Sequence, residues 1–447
     1  MGEDNQSHYL LAVIGAGPAG LYAAKQLAAD GHRVVIFNRD IKPAGLAEYG
    51  IYPDKHKMKE GLRRQYRQIL SSPQIDYFGN VVIGEKGDLT LADLREMGFH
   101  ALLVTVGAQG TKWLGLPGED LTGVYHAKDV VYHYNQLPPF SQQSFAIGRR
   151  VAIVGVGNVM LDIARYAVRA LKVDEVTAVA RRGPAEVKFD KEELEYVACN
   201  LDLAALDAEL ERVRARMEAV GQDVQAVKEK YFLSALPKAL PAVSETRFRF
   251  DFLASPTRML GDAQKRMTGL EVEDNTLVAS NGDVKAKGLG TKRVLEVDTV
   301  IFAIGDQVDW TFGLPVRSGA FVKNPEPCFP VDGLSYEAYD PDAKKPIGGV
   351  FVAGWSREAS TGLVGAARKD GTNGANAVLQ YLKTLPPPDG ASLESLTGKL
   401  MNLKKRVVRK PDWRRLEAVE KAEAQKRGLE EFKFSTNEEM LAALGPG

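Results

Sequence analysis

The residues of this chain best suited to chemistry lie in two short glycine-rich turns and one pair of arginines. The first turn, Gly15-Ala16-Gly17-Pro18-Ala19-Gly20, follows the apolar run Leu10, Leu11, Val13 and Ile14. Behind it comes LYAAKQLAADG, a helical pattern with Leu21, Ala24 and Leu27 on one face that stops at Gly31. The second turn, Gly155-Val156-Gly157-Asn158-Val159-Met160, follows the strand pattern RVAIV and opens the amphipathic pattern LDIARYAVRAL. Strand, glycine turn and helix in that order suit the diphosphate of a dinucleotide. The first glycine permits a tight turn, the second admits the pyrophosphate without a side chain in the way, and a third lets helix and strand pack closely. Free N–H groups at the helix start, together with the helix dipole, then attract the anion.

The two units differ where the next strand ends, the place that normally reads the ribose. After the first turn the strand from His32 ends at Asn38, where an acid usually holds the ribose hydroxyls. An amide can accept one such hydrogen bond but lacks the charge. After the second turn the strand pattern of residues 173–180 runs into Arg181 and Arg182. Guanidinium groups bind a 2′-phosphate in bidentate fashion. Charge-assisted hydrogen bonds contribute roughly 1.5–3 kcal/mol each, a preference of about tenfold to hundredfold for NADP over NAD. The second turn is therefore expected to take NADP(H). No Ser–His–Asp set and no metal-ligand spacing stand out among the six histidines, so neither a nucleophile nor a metal is expected, and bound cofactors would carry the reaction.

The elements that position these turns read as an α/β chain with two Rossmann-like dinucleotide-binding domains, the second inserted into the first. The runs ALLVTVGAQG (residues 101–110) and VIFAIG (residues 300–305) each end a β-branched strand at a glycine and mark the crossings between domains. The expected boundaries are 1–108 for the first part of the first domain, 109–305 for the inserted domain, and 306–447 for the second part with a C-terminal helical tail. Leu203, Leu206, Leu210, Val213, Met217 and Val220 recur at helical spacing and predict a helical excursion over residues 203–230. RFRFDFLAS, then GLEVEDNTLVAS with a turn at Asn281-Gly282, predict strands from Arg247 to Val300. A late strand ends at Gly354-Trp355, and Gly362-Leu363-Val364-Gly365 opens one more helix.

The bulk composition narrows the function classes. Lys and Arg number 58 and Asp and Glu number 58 in 447 residues, so no overall field advertises nucleic acid. Cys199 and Cys328 form no CxxC, which argues against a disulfide framework, an iron–sulfur cluster or a redox dithiol. The polar N-terminus and the lack of any apolar run of membrane-spanning length predict a cytoplasmic protein without a membrane span.

The motifs IGAGPAG, GLAEYGIYPDK, FGNVVIGE, GAQG…LPGEDLTGV, GVGNVMLDIAR, ARRGPAEVKFDKEEL, FLASPTRMLG and AGW…STGLVGAARKDG together resemble the adrenodoxin reductase type of ferredoxin–NADP reductase, over nearly the whole chain. Glutamate synthase small-subunit-like proteins are more distant relatives. The resemblance implies FAD at the first turn and NADP at the second. FAD would lie against Gly15, Gly17, Pro18, Ala19, Leu46 and Ile83, with Asn38 in place of the family's ribose-binding glutamate. Trp355, Gly362, Leu363 and Val364 would face the isoalloxazine, Gly362 also the nicotinamide. NADP would lie against Val156, Gly157, Asn158, Val159, Arg181, Arg182 and Glu193. Lys55, where the family has a histidine, and Glu193 are accessory candidates. The implied activity is electron transfer between NADPH and a ferredoxin-type iron–sulfur protein. An NADPH-oxidising subunit of a larger complex and a non-catalytic nucleotide sensor are the alternatives, and homo-oligomerisation is left open. Arg63, Arg64 and Arg67, or the run Lys404-Lys405-Arg406, are the expected basic rim for an acidic partner.

Overall fold

The computed structural model describes residues 8–280, 282–359, 362–388 and 394–445. The N-terminal residues 1–7, Asn281 of the expected turn, and Ser360 and Thr361 of the late glycine motif lie outside the described residues. The chain divides into two compact units. One gathers Met1–Lys112, Tyr132–Gln142 and Gly305–Gly447, the other Trp113–Val131 and Gln143–Ile304.

In the first unit a six-stranded sheet runs in the order Glu337–Asp340, Lys345–Val352, Ala101–Val104, Leu10–Ile14, Arg33–Asn38, Ile75–Gly79. All neighbours are parallel except the first pair. Every residue of the central strand Leu10–Ile14 is buried, as a strand covered by helices on both faces requires. Its side chains alternate between two cores. Leu11 and Val13 join Leu21, Ala24 and Leu27 of the helix Pro18–Ala29, whereas Leu10, Ala12 and Ile14 join Phe37, Phe99 and Val104. The helix Val364–Leu382 crosses Pro18–Ala29 at backbone contact: a Cβ at Gly371 would lie 2.1 Å from the Ala19 carbonyl oxygen. The charged C-terminal stretch folds back on this unit through Lys410–Arg427 and Asn437–Ala443, placing Trp413, Leu416 and Met440 in the same core as Leu11.

The second unit holds a parallel sheet in the order Val124–His126, Thr299–Phe302, Arg150–Val154, Glu175–Val179, Arg247–Asp251. A three-stranded antiparallel sheet, Ala254–Gly261, Met267–Ser280 and Asp283–Leu295, accompanies it. Two sequence expectations are corrected by the backbone. The run RFRFDFLAS is two strands, because Leu253 turns through a left-handed φ of 53° and sends the chain from one sheet to the other. The helical excursion expected over residues 203–230 is borne out, its first helix, Leu203–Glu218, ending before Gly221 (φ 76°). It restarts as Val224–Tyr231, with the Asp223 side chain accepting the Ala226 N–H at 3.0 Å. Tyr132–Gln142, expected within the inserted domain, belongs to the first unit, where Tyr132 and Leu137 pack on Tyr49. That short segment carries too few apolar residues to announce a change of unit. Among the described residues no helix is long and apolar enough to cross a membrane.

Two glycine-to-alanine variants separate local helix preference from the crossing contact. Nothing lies within 4 Å of a Cβ added at Gly61, in the helix His56–Leu70, so Gly61→Ala should gain about 0.5–1 kcal/mol. Gly371→Ala should instead lose about 1–3 kcal/mol, the usual cost of overpacking. Urea unfolding of both proteins checks this, and a gain at both positions would rule out the close crossing.

Candidate functional site

The first glycine turn is held from behind and open in front. Gly15 has a φ of 107°, and its N–H donates to the Phe37 carbonyl at 2.7 Å. A Cβ at Gly20 would stand 1.9 Å from the Gly15 carbonyl oxygen and 2.6 Å from the Thr105 hydroxyl, which itself donates to the Gly15 carbonyl at 2.9 Å. These contacts explain two of the glycines by packing alone. Gly17 is different: nothing lies within 4 Å of a Cβ placed there. It precedes the first residue of the helix, Pro18, and no side chain caps the helix start. The Leu21 N–H closes the first helical bond on the Gly17 carbonyl at 3.0 Å, and helix geometry leaves the N–H groups of Ala19 and Gly20 pointing out of the ladder. This is an uncapped, side-chain-free helix start with the positive end of its dipole exposed, which fits a diphosphate.

Two loops close on this turn. The Ala44 N–H donates to the Ala16 carbonyl at 2.7 Å, and a Cβ at Gly45 (φ 50°) would approach the Gly17 Cα to 3.2 Å. Leu46 therefore begins its short helix beside the turn, half-buried. A Cβ at Gly354 (φ 66°) would come within 2.7 Å of the Ala19 Cβ, so the Gly354-Trp355-Ser356 turn also lies against it. That turn is pinned by Asp370, which accepts from the Gly354 N–H at 2.6 Å, from Arg357 at 2.7 and 2.9 Å and from the Tyr336 hydroxyl at 3.1 Å. The Ser356 hydroxyl accepts the Gly107 N–H at 3.0 Å. Trp355 is half-buried. Gly362 and the 67% exposed Leu363 lead into Val364 at a helix start with no side-chain cap.

The structure thus brings Gly15, Gly17, Pro18, Ala19, Leu46 and Trp355 together. Ile83 is buried in a core cluster with Phe37, Phe78 and Ile14, the residue that leads into the turn. Lys55 stands at the start of the helix His56–Leu70, its N–H on the Tyr52 carbonyl at 3.1 Å. Thr105, Ser356 and Asp370 were not singled out from the sequence. The glycine pair of RKDGTNG, three residues apart on one helix, was the available signal for Asp370's neighbourhood.

Asn38 has a role that its position at the strand end concealed. It is buried, and its Oδ1 accepts the Ala16 N–H of the glycine turn at 3.0 Å. Its Nδ2 donates to the carbonyls of Asp40 at 2.8 Å and Lys42 at 3.0 Å. The amide therefore ties the turn to the loop that covers it. A carboxylate, which only accepts, could satisfy the Ala16 N–H but would face two carbonyl oxygens with no proton to offer.

The expected basic rim is mostly spent on internal pairs. Arg63 donates to Glu48 at 2.6 and 2.8 Å and also pairs with Glu431. Arg67 pairs with Glu60 and with Glu417, Lys405 with Asp88, and Arg406 with Asp412. Of the six residues only Arg64 and Lys404 are exposed.

In the second unit Gly155 (φ 129°) donates its N–H to the Val179 carbonyl at 3.0 Å, and a Cβ there would meet the Ala303 oxygen at 2.3 Å. Gly157, like Gly17, has nothing within 4 Å of an added Cβ and precedes the uncapped helix Asn158–Arg165. Asn158 and Asp190 exchange two hydrogen bonds of 2.7 Å, and the Val156 carbonyl accepts the Lys188 N–H at 2.8 Å. The turn is thereby joined to the short helix Lys191–Leu194 that carries the half-buried Glu193. Val159 is exposed. At the neighbouring strand end Arg181 is exposed, and Arg182 is partly so, with long contacts to Val284 (3.5 Å) and Asp283 (3.9 Å) among the described residues. Both guanidinium groups are thus available to an anion. Cys199 and Cys328 are unpaired and exposed, and among the described residues no group of His, Cys, Asp and Glu could hold a metal ion.

Two Rossmann-like dinucleotide units, one interrupting the other and each with an open glycine turn, define a pyridine-nucleotide oxidoreductase of the two-domain flavoprotein class. The family model "Pyridine nucleotide-disulphide oxidoreductase" matches residues 9–230. The chain is 27% identical to NADPH-ferredoxin reductase FprA of Mycobacterium leprae, over 96% of this chain and 97% of that protein. It is 27% identical to the mitochondrial NADPH:adrenodoxin oxidoreductase of Homo sapiens, over 97% and 92%. The solved structure of Mycobacterium tuberculosis FprA in complex with NADPH superposes with a TM-score of 0.79 at 28% identity, covering 98% of this chain and 99% of that one. The chain is thus similar, over nearly its whole length, to proteins of the adrenodoxin reductase type of ferredoxin–NADP reductase, which its motifs resemble.

Replacing the bridging amide tests its assignment. Asn38→Asp should destabilise the protein by about 1–3 kcal/mol for each buried carbonyl left without a donor. The facing carbonyls favour a protonated acid, so the folded-state pKa of the new Asp lies above its unfolded value. The deficit should therefore be smallest at low pH and grow as pH rises through that folded pKa. Urea midpoints of wild type and variant, compared across pH, check this. A deficit that does not change with pH would contradict the two-sided bridge.

Proposed function

We propose that this protein is an FAD-dependent oxidoreductase passing electrons between NADPH and a ferredoxin-type iron–sulfur protein. The observation that carries the reading is the pair of open glycine turns in one chain: the second is followed by the accessible pair Arg181 and Arg182, whereas the single arginine at the first strand end, Arg39, pairs with Asp40. The names of the relatives, which pair NADPH with ferredoxin or adrenodoxin, support it. Bound FAD would supply the chemistry that joins a two-electron hydride donor to a one-electron acceptor.

The chain's own residues bind and orient. In this reading Gly17, Pro18 and Ala19 hold the FAD diphosphate at the helix start. Leu46 and Trp355 flank the flavin from the two loops that close on that turn, and Gly362, Leu363 and Val364 line its far edge. Val156, Gly157, Asn158 and Val159 take the NADP diphosphate, Arg181 and Arg182 its 2′-phosphate, and Glu193 the same nucleotide. The first unit is then the FAD domain and the second the NADP domain. Asn38 contributes by shaping the turn, so its lack of charge gives no support to a non-catalytic sensor. The two unpaired cysteines suit the reducing cytoplasm.

One observation favours a second reading of the acceptor. Most of the expected basic rim is engaged in internal ion pairs, which fits a partner other than a strongly acidic ferredoxin. Anaerobic reduction by NADPH followed by addition of candidate ferredoxins separates the two: transfer to any ferredoxin supports the first, and reduction without transfer supports the second. Coenzyme choice gives a further test. Arg181→Ala with Arg182→Ala should raise KM for NADPH about tenfold to hundredfold while leaving KM for NADH within about a factor of three. Equal losses for both coenzymes would remove the arginines from the 2′-phosphate.

A further inference from the structure

The loop over the first glycine turn is anchored by charges that come from the far end of the chain. Lys42, whose carbonyl receives the Asn38 amide, sends its ammonium to Glu420 of the helix Lys410–Arg427 at 2.5 Å and to Glu48 at 3.3 Å. Lys433 donates to the Glu48 carbonyl at 2.8 Å and lies 3.2 Å from the Glu48 carboxylate. Arg63 joins Glu48 to Glu431. Lys42, Glu48, Glu420 and Lys433 are all buried, with side chains at most 7% exposed. Burial opposes the charge on Glu48, yet Lys42 and Lys433 beside it hold its carboxyl well below the ordinary range. Burial also pushes the Lys433 ammonium down to about 8, against the pull of Glu48.

A buried ion pair is weak evidence for stability but strong evidence for a fixed arrangement, because removing one partner strands the other. Here the arrangement is a relay. The Ala16 N–H meets Asn38, Asn38 meets the Lys42 carbonyl, and the Lys42 ammonium meets Glu420. The same loop places Ala44 on the Ala16 carbonyl and Gly45 on Gly17. We infer that the C-terminal segment from Glu420 to Lys433 is a clamp that holds the loop of residues 40–49 over the first dinucleotide site, so that Glu420 and Lys433 are positioning residues for the cofactor bound there. The inference rests on the reading of that site as the FAD site.

Glu420→Gln keeps the shape and removes the charge. Hydrogen exchange of the full-length variant should rise in residues 40–49, with the central strand Leu10–Ile14 still protected. The dissociation constant for FAD, read by quenching of flavin fluorescence, should rise about tenfold, the factor expected for one lost charge-assisted hydrogen bond. NADPH affinity should not change, because the second site lies in the other unit. Lys433→Met should produce the same local pattern and serves if the first variant does not fold. Unchanged protection at residues 40–49 in the variant that folds overturns the clamp. So does a loss spread evenly over the unit, or an FAD affinity equal to wild type. If wild-type protein takes up no FAD, the reading of the site fails, while the exchange pattern still decides whether the segment clamps the loop.

Discussion

The Asn38 amide is the contact on which the first site depends, because it bonds in both directions at once. Its oxygen fixes the backbone of the glycine turn, and its two N–H groups fix the loop that returns over that turn. The loop in turn sets Gly45 against Gly17 and starts Leu46 beside it. An acid placed at the same strand end could serve one side only. A residue that looks in sequence like a weakened ribose contact is, in the fold, what gives the site its shape.

The two glycine turns share one physical plan and differ in electrostatics. In each, one glycine is required by a left-handed φ and a backbone packed against it, while another is empty on its ligand side. Near the first turn Lys42, Glu48 and Glu420 are buried and paired among themselves, so they fix geometry and contribute little outward field. Near the second, Arg181 and Arg182 stay accessible at a strand end. The contrast gives the first unit a rigid cradle and the second a place for an extra phosphate.

Much of this was legible in the sequence, for identifiable reasons. Short apolar runs such as LLAVI and VAIV, each stopped by a glycine turn, fit strands covered on both faces, and the turn after each locates the helix start. The helical spacing of Leu206, Leu210, Val213 and Met217 likewise marks their buried face. What stayed hidden depends on contacts across long sequence distances. Nothing near Lys42 announces Glu420, and nothing near Arg63 announces Glu431, so charges that read as a solvated rim turn out to be internal. Leu253 is one residue in an apolar run, and only its left-handed backbone separates two sheets.

The central claim is that one chain carries a flavin site and a separate NADP site. The measurement closest to it is the absorption spectrum of the purified protein, taken before and after incubation with excess FAD and removal of the unbound cofactor. The account predicts flavin bands with one FAD per chain, released intact as FAD on denaturation. A protein that stays colourless after incubation would contradict it.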